Sequence, residues 1–189
     1  MKFGCLVLAA GKGERFGTEK QFHSWNGRFM WQHAYELAHE LTDEVVIVGM
    51  DIDGGRTRQE SVKNGLRLIS APRVVIIEVI RPLLKRSHIM NLIKRTHSSV
   101  TYGLRVDEAV FASNNEYYCD FNLISNPQAF DTKLLKEAHQ KTQFLDAPED
   151  TMLMKEVHGI DPLIIEGDSL LHKIVTRKDL DVLNVLARR

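Results

Sequence analysis

Gly11, Gly13, Arg15 and Lys20 bring two glycines and two cations close together in the chain. Glycines let backbone N–H groups approach a ligand closely, and arginine or lysine beside them supplies charge for phosphate oxygens. Together they have the chemistry of a polyphosphate cradle. A dinucleotide-binding fingerprint needs a third glycine where Phe16 stands, and a Walker loop needs Gly-Lys-Ser/Thr after its turn; neither is present. A nucleotidyltransferase loop, Gly-x-Gly-x-Arg followed by a lysine, fits. A tight strand-to-helix turn carrying solvated charges is the plainer alternative.

The elements around this loop say where it sits. Residues 3–10 form an apolar run interrupted only by Gly4, which reads as a buried strand ending at Gly11. Residues 29–41 carry Met30, Ala34, Leu37, Ala38 and Leu41 at helical spacing, and residues 44–48 read as a second strand. Asp53-Gly54-Gly55 is a turn, and residues 58–68 read as a helix. A third strand over 74–77 is closed by Arg81-Pro82, and a helix is expected over 88–96. Residues 100–125 look extended, with Asn114-Asn115 suggesting a hairpin or projecting β-arm. Helices follow over 132–141, 150–157 and 178–186, with a strand over 163–165. Strands alternating with helices predict an α/β, Rossmann-like, mostly parallel sheet with helices on both faces. Ligands bind such sheets outside the carboxyl ends of the strands, so the loops at Gly11, Gly54 and Glu78 should meet.

The chain has 189 residues, which suits one domain over 1–189. Twenty-five basic residues balance 25 acidic ones. A chain without excess positive charge is a poor candidate for sequence-independent nucleic-acid binding, although a local basic site for a phosphorylated small molecule remains open. Cys5 and Cys119 share no metal-ligand spacing and read as unpaired thiols, which fits a reducing cytoplasm. His23, His88, His97 and His172 show no ligand spacing either. The opening apolar run is too short for a signal sequence or a membrane span.

Four blocks give the chain a more specific identity. Ala9-Ala10-Gly11-x-Gly13-x-Arg15 followed by Lys20-Gln21-Phe22 resembles the opening of the 2-C-methyl-D-erythritol 4-phosphate cytidylyltransferases and the related ribitol-5-phosphate cytidylyltransferases. Gly54-Gly55-x-x-Arg58-x-x-Ser61-Val62-x-x-Gly65-Leu66 matches every fixed position of that family's second motif. Asn126-Pro127-Gln128-Ala129-Phe130 is similar to its Thr-Pro-Gln-x-Phe, and Glu166-Gly167, Lys173 and Asp179-Leu180 follow at the family's spacing. The resemblance implies transfer of CMP from CTP to a sugar- or polyol-phosphate with release of pyrophosphate, Mg²⁺ as cofactor, a role in isoprenoid biosynthesis and a homodimer formed through the arm at 100–125. It implies Arg15, Lys20 and Lys173 as catalytic cations, with Lys173 on the acceptor phosphate. Ala9, Ala10, Gly11 and Gly13 would meet the nucleotide's phosphates, and Gly54, Gly55 and Ser61 its cytosine and ribose. Ser61 could instead simply cap the helix that carries Val62.

Departures cluster on the acceptor and metal side. The family's metal-holding Asp is Glu78 here, which could bind Mg²⁺ or simply pair with Arg81 or another cation. Val79 and Ile80 replace two alanines, no Arg stands in 116–121, and Leu170-Leu171 replaces an Asp-Asn pair unless Asp168 substitutes. The chain is also short between Val48 and Gly54. Such losses suggest a changed acceptor, or a CTP-binding relative of weak or no activity that serves as a regulatory or partner subunit.

Overall fold

A computed structural model of the chain describes residues 2–111, 113 and 115–188. In chain order the strands are β1 (Phe3–Leu8), β2 (Ser24–Trp25), β3 (Arg28–Phe29), β4 (Val45–Val48), β5 (Arg73–Glu78), β6 (Ser99–Val106), β7 (Val110–Phe111), β8 (Tyr117–Tyr118), β9 (Phe121–Asp131) and β10 (Leu163–Glu166). The helices are α1 (Met30–His39), α2 (Arg58–Leu66), α3 (Arg86–Ile93), α4 (Thr132–Lys141), α5 (Asp150–His158) and α6 (Asp179–Leu186).

Six strands form the central sheet in the order β10-β6-β9-β5-β1-β4. The β1–β4, β1–β5 and β6–β10 pairs are parallel, whereas β9 runs antiparallel to both β5 and β6. Period-two alternation sends the side chains of β1 into two cores. Phe3, Cys5 and Val7 face a cluster shared with Ala34 and Ala38 of α1 and Ile89 and Leu92 of α3. Leu6 faces the other cluster, with Val62 and Leu66 of α2, Leu135 of α4 and Leu153 of α5. Helices therefore cover both faces, and the strands read as continuous apolar runs because neither face meets water. Among the described residues no helix is long and apolar enough to cross a membrane. Both cysteines are free thiols, Cys5 buried and Cys119 exposed.

Helix α2 begins where Thr57 accepts a hydrogen bond from the Glu60 backbone N–H (3.1 Å), while Glu60 accepts one from the Arg56 N–H (2.7 Å). Thr57, not Ser61, is the cap, because Ser61 lies a full turn inside the helix. On the buried face of α2, a Cβ at Gly65 would lie 2.2 Å from Leu6 Cδ1 and 2.7 Å from Val48 Cγ2. Gly65→Ala is thus expected to overpack the helix–sheet contact and to destabilise the fold by about 1–3 kcal/mol. An unchanged urea midpoint would show that the contact relaxes freely.

The extended segment differs from the sequence expectation. Residues 99–102 are buried in the central sheet, so only the outer reaches of β6 and β9, with the β7–β8 ribbon, project. Asn114 of the expected hairpin lies outside the described residues; the ribbon it was meant to close pairs Phe111 with Tyr117. Strand β9 does not stop at Ser125 but runs on through the Asn-Pro-Gln block. The register skips from Thr101↔Gln128 to Tyr102↔Ser125. Proline has no N–H for a ladder, so Pro127 is accommodated in that irregularity.

Candidate functional site

The loops after β1, β4 and β5 do meet. They enclose a cleft of about 540 Å³ into which Gly11, Gly13, Arg15, Lys20, Gly55 and Glu78 all face. A larger hollow of about 700 Å³, bounded by residues 94–98, Ile160 and Leu163, contains none of the residues expected from sequence.

The glycine loop is held by one apolar stake. Phe16, buried at 2% exposure, packs with Met30, Ile174 and Leu183, and Arg177 donates to its carbonyl (3.3 Å). An aromatic residue here excludes a dinucleotide fingerprint and ties the loop to α1 and α6. Gly54 allows the second loop to touch the first: a Cβ there would sit 2.3 Å from Ala10 Cβ. Ala10 lines the cleft, whereas Ala9 is buried beneath it. Ser61 lines the cleft too, but its hydroxyl donates to the Thr57 carbonyl (2.9 Å) and accepts from the Gly55 N–H (3.0 Å). Its visible work is shaping the Gly55 turn.

The cleft floor is a cluster of buried charge. Glu78, 7% exposed, accepts from Arg58 Nε (3.2 Å) and pairs with Arg81 (3.5 Å) and Lys173 (3.9 Å). Burial alone would raise its carboxyl, but Lys173, Arg58 and Arg81 more than offset this and hold it below the usual carboxylate range. Arg58 also donates to Asp150 (2.7 Å), whose other oxygen meets His139 Nε2 (2.9 Å). Lys20 reaches over this floor, donating to the Ile174 carbonyl (3.3 Å). Its ammonium is pushed down by burial and by the like charges of Arg15 and Lys173.

The segment bearing Lys173 is clasped at several points. Arg81 donates to the Leu171 carbonyl, and the Ile174 N–H to the Ile80 carbonyl (3.0 Å). Leu171 is buried in the same cluster as Val79, with Ile80 packed against it. Three of the four apolar departures, Val79, Ile80 and Leu171, therefore form one contact. Asp168 does not stand in for a missing carboxylate of the cleft. It caps its own turn through the Leu170 N–H (2.8 Å) and pairs with His88 (3.1 Å).

Sequence reasoning missed Arg58, Asp150 and Glu149 as members of the site. A signal existed for Arg58: a cation in the first turn of a helix opposes the helix dipole, so it implies carboxylates nearby. Glu149 accepts from Gln128 (2.7 Å). Burial pushes its carboxyl up to about 7; Arg58 opposes this, while Glu78 and Asp150 reinforce it. A carboxyl raised in the folded state keeps a proton that the unfolded chain has lost. Stability therefore falls as pH climbs from the ordinary carboxylate range towards 7, and the full cost applies above that. Glu149→Gln is expected to be neutral near pH ~4 and to stabilise near pH ~8 by on the order of 1–2 kcal/mol. Equal thermal shifts at both pH values would contradict this.

The sequence model of the 2-C-methyl-D-erythritol 4-phosphate cytidylyltransferase family matches residues 49–189, well over half of the chain. This chain belongs to that family. A model of MobA-like NTP transferase domains matches residues 5–73, the part that carries the glycine loop. The 2-C-methyl-D-erythritol 4-phosphate cytidylyltransferase of Thermotoga neapolitana is 30% identical, over 97% of this chain and 96% of its own length. The crystal structure of the Thermus thermophilus enzyme of the same name superposes with a TM-score of 0.82 at 27% identity, covering 100% of both chains. The bifunctional IspDF of Campylobacter jejuni superposes with a TM-score of 0.84 at 26% identity; 96% of this chain matches 54% of that one. Family membership makes this a nucleotidyltransferase-type enzyme on a mixed, mostly parallel sheet.

The chemistry of Glu78 is compatible with the magnesium that the sequence resemblance implies. Its Oε2 is buried and accepts no hydrogen bond, and Mg²⁺ is commonly held by one or two carboxylates together with substrate phosphates. Among the described residues no three His, Cys, Asp or Glu side chains group as a metal site. The fit is therefore one oxygen, in a shell already rich in cations.

Proposed function

We propose that this protein transfers CMP from CTP to the phosphate of a phosphorylated sugar or polyol, releasing pyrophosphate, with 2-C-methyl-D-erythritol 4-phosphate as the first candidate acceptor. The observation that carries this reading is the convergence of Arg15, Lys20 and the glycine loop on the same cleft as Glu78, with Lys173 beside it.

The attacking group is a phosphate monoester, already an anion, so no side chain needs to remove a proton. Its oxygen forms a bond to the α-phosphorus in line with the departing pyrophosphate, whose bridging oxygen keeps the electron pair. Catalysis is then positioning and charge neutralisation. Gly11 and Gly13 would give N–H groups to the triphosphate, and Arg15 and Lys20 would face the charge that grows on the α-phosphate and the leaving group. Gly54, Gly55 and Ser61 would form the floor for the pyrimidine and its ribose. Lys173 would draw the acceptor phosphate towards Glu78. Mg²⁺, with the Oε2 of Glu78, which accepts no hydrogen bond, adding an oxygen, would supply charge neutralisation to the triphosphate. The exposed Val110, Phe111, Tyr117 and Leu123 of the arm suit a homodimer contact, and a monomer in light scattering would sink that part. Two unpaired thiols are in keeping with a cytoplasmic setting.

The test is pyrophosphate release with CTP, Mg²⁺ and a panel containing methylerythritol, ribitol, glycerol and hexose phosphates. Release with one acceptor supports the reading and names the substrate. CTP-induced thermal stabilisation without release from any acceptor would favour a CTP-binding relative of weak activity. The engagement of Glu78 by three cations is the observation behind that second reading.

A further inference from the structure

Behind the cleft, a chain of charged contacts leads out of the protein interior. His139 of α4 meets Asp150 at the start of α5 (2.9 Å), and Asp150 meets Arg58 at the start of α2 (2.7 Å). Arg58 meets Glu78 at the end of β5 (3.2 Å), and Glu78 meets Arg81 (3.5 Å) and Lys173 (3.9 Å). The side chains of His139 and Asp150 are each 1% exposed, while that of Lys173 is 41% exposed. The chain thus begins in the core and ends on a cation free to meet a ligand.

We infer that Asp150 and His139 are positioning residues for the reaction: they orient Arg58, which orients Glu78, which holds Lys173 beside the cleft where the reacting phosphates would lie. This inference rests on the function proposed above. Three arguments carry it. A guanidinium is a planar fork, and Arg58 spends Nε on Glu78 and Nη1 on Asp150, so two carboxylates on different elements determine its plane. Both oxygens of Asp150 are occupied, one by Arg58 and one by the Nε2 of His139, which must carry the hydrogen to donate there. Buried ion pairs of this kind give little net stability over apolar packing, and a cation in the first turn of α2 works against the helix dipole. Apolar residues would hold the core as well; they would not orient Glu78.

The experiment is a double-mutant cycle on turnover. Asp150→Asn is expected to lower kcat about 10-fold with the KM for CTP changed less than about 2-fold, because geometry at the acceptor side moves and the nucleotide loop does not. Glu78→Gln should cost more. The double variant should lie within about 3-fold of Glu78→Gln alone, since both act through one chain. Losses that multiply, or an Asp150→Asn protein with a lower melting temperature and normal turnover per folded molecule, would overturn the inference. If Asp150→Asn does not fold, His139→Asn goes through the same cycle with an expected kcat loss of about 3-fold. A wild-type protein without turnover on any acceptor would sink the proposed function instead. The chain is then judged by ¹⁵N-arginine NMR. A slowly exchanging Arg58 Nε–H that is lost in Glu78→Gln supports it, and a fast-exchanging one in the wild type rules it out.

Discussion

Replacing Lys20 by alanine is expected to lower kcat/KM for pyrophosphate release by about 10²–10³-fold while leaving the fold intact. Among the described residues the Lys20 side chain makes a single hydrogen bond, to the Ile174 carbonyl, and the residue is only partly buried, so truncating it opens no core cavity. Its electrostatic position is the reason for the large effect. Burial, Arg15 and Lys173 all work against its charge in the free protein. A triphosphate entering between these cations would reverse the balance, and the interaction would strengthen as charge gathers on the leaving pyrophosphate. An interaction that grows in the transition state is lost from kcat as well as from kcat/KM. Lys20→Arg should recover only part of the loss, because a planar fork cannot occupy the place of a compact ammonium. Steady-state kinetics alongside thermal melts make the check. A decrease below about 3-fold at unchanged melting temperature would remove Lys20 from the catalytic group.

Gly13→Ala is the second large effect, and it acts through shape. Gly13 has φ +67, a conformation that L side chains rarely adopt. A Cβ there would lie 1.8 Å from the Thr18 carbonyl oxygen and 2.7 Å from its carbon, both backbone atoms. The Gly13 carbonyl also accepts from the N–H groups of Phe16 (2.8 Å) and Gly17 (2.9 Å), which close the turn around Arg15. The loop must therefore open, carrying Arg15 and the N–H donors away from the phosphates. CTP affinity is expected to fall at least 100-fold, about 2.7 kcal/mol, by isothermal titration. Gly11→Ala is the steric comparison: nothing lies within 4 Å of a Cβ at Gly11, so its apo melting temperature should match wild type. Near-normal CTP binding by Gly13→Ala would mean that the loop is not the phosphate cradle.

Much of this could be read from the chain because the relevant physics is local. The apolar runs within Phe3–Leu8 and at 74–77 are buried on both faces, and they read as strands without knowledge of their neighbours. The glycine loop and the Gly54-Gly55 turn sit where a parallel sheet places its ligand loops, so their meeting followed from alternation alone. Strand β9 was harder. Its direction depends on which strands it joins, and Pro127 interrupts its pattern, so neither its antiparallel course nor its extent to Asp131 was evident.

By itself, then, the amino-acid order determined the family motifs, the glycine loop and the α/β alternation, because each depends on residues near one another in the chain. Only the tertiary structure decided what the carboxylates do. Glu78 finds Arg58 twenty positions away, and Arg58 finds Asp150 ninety-two positions away. Asp168 was spent on its own turn and on His88, while Leu171 joined Val79 in the core. A buried charge is governed by the dielectric and the partners around it, and distant segments supply both only when the chain folds.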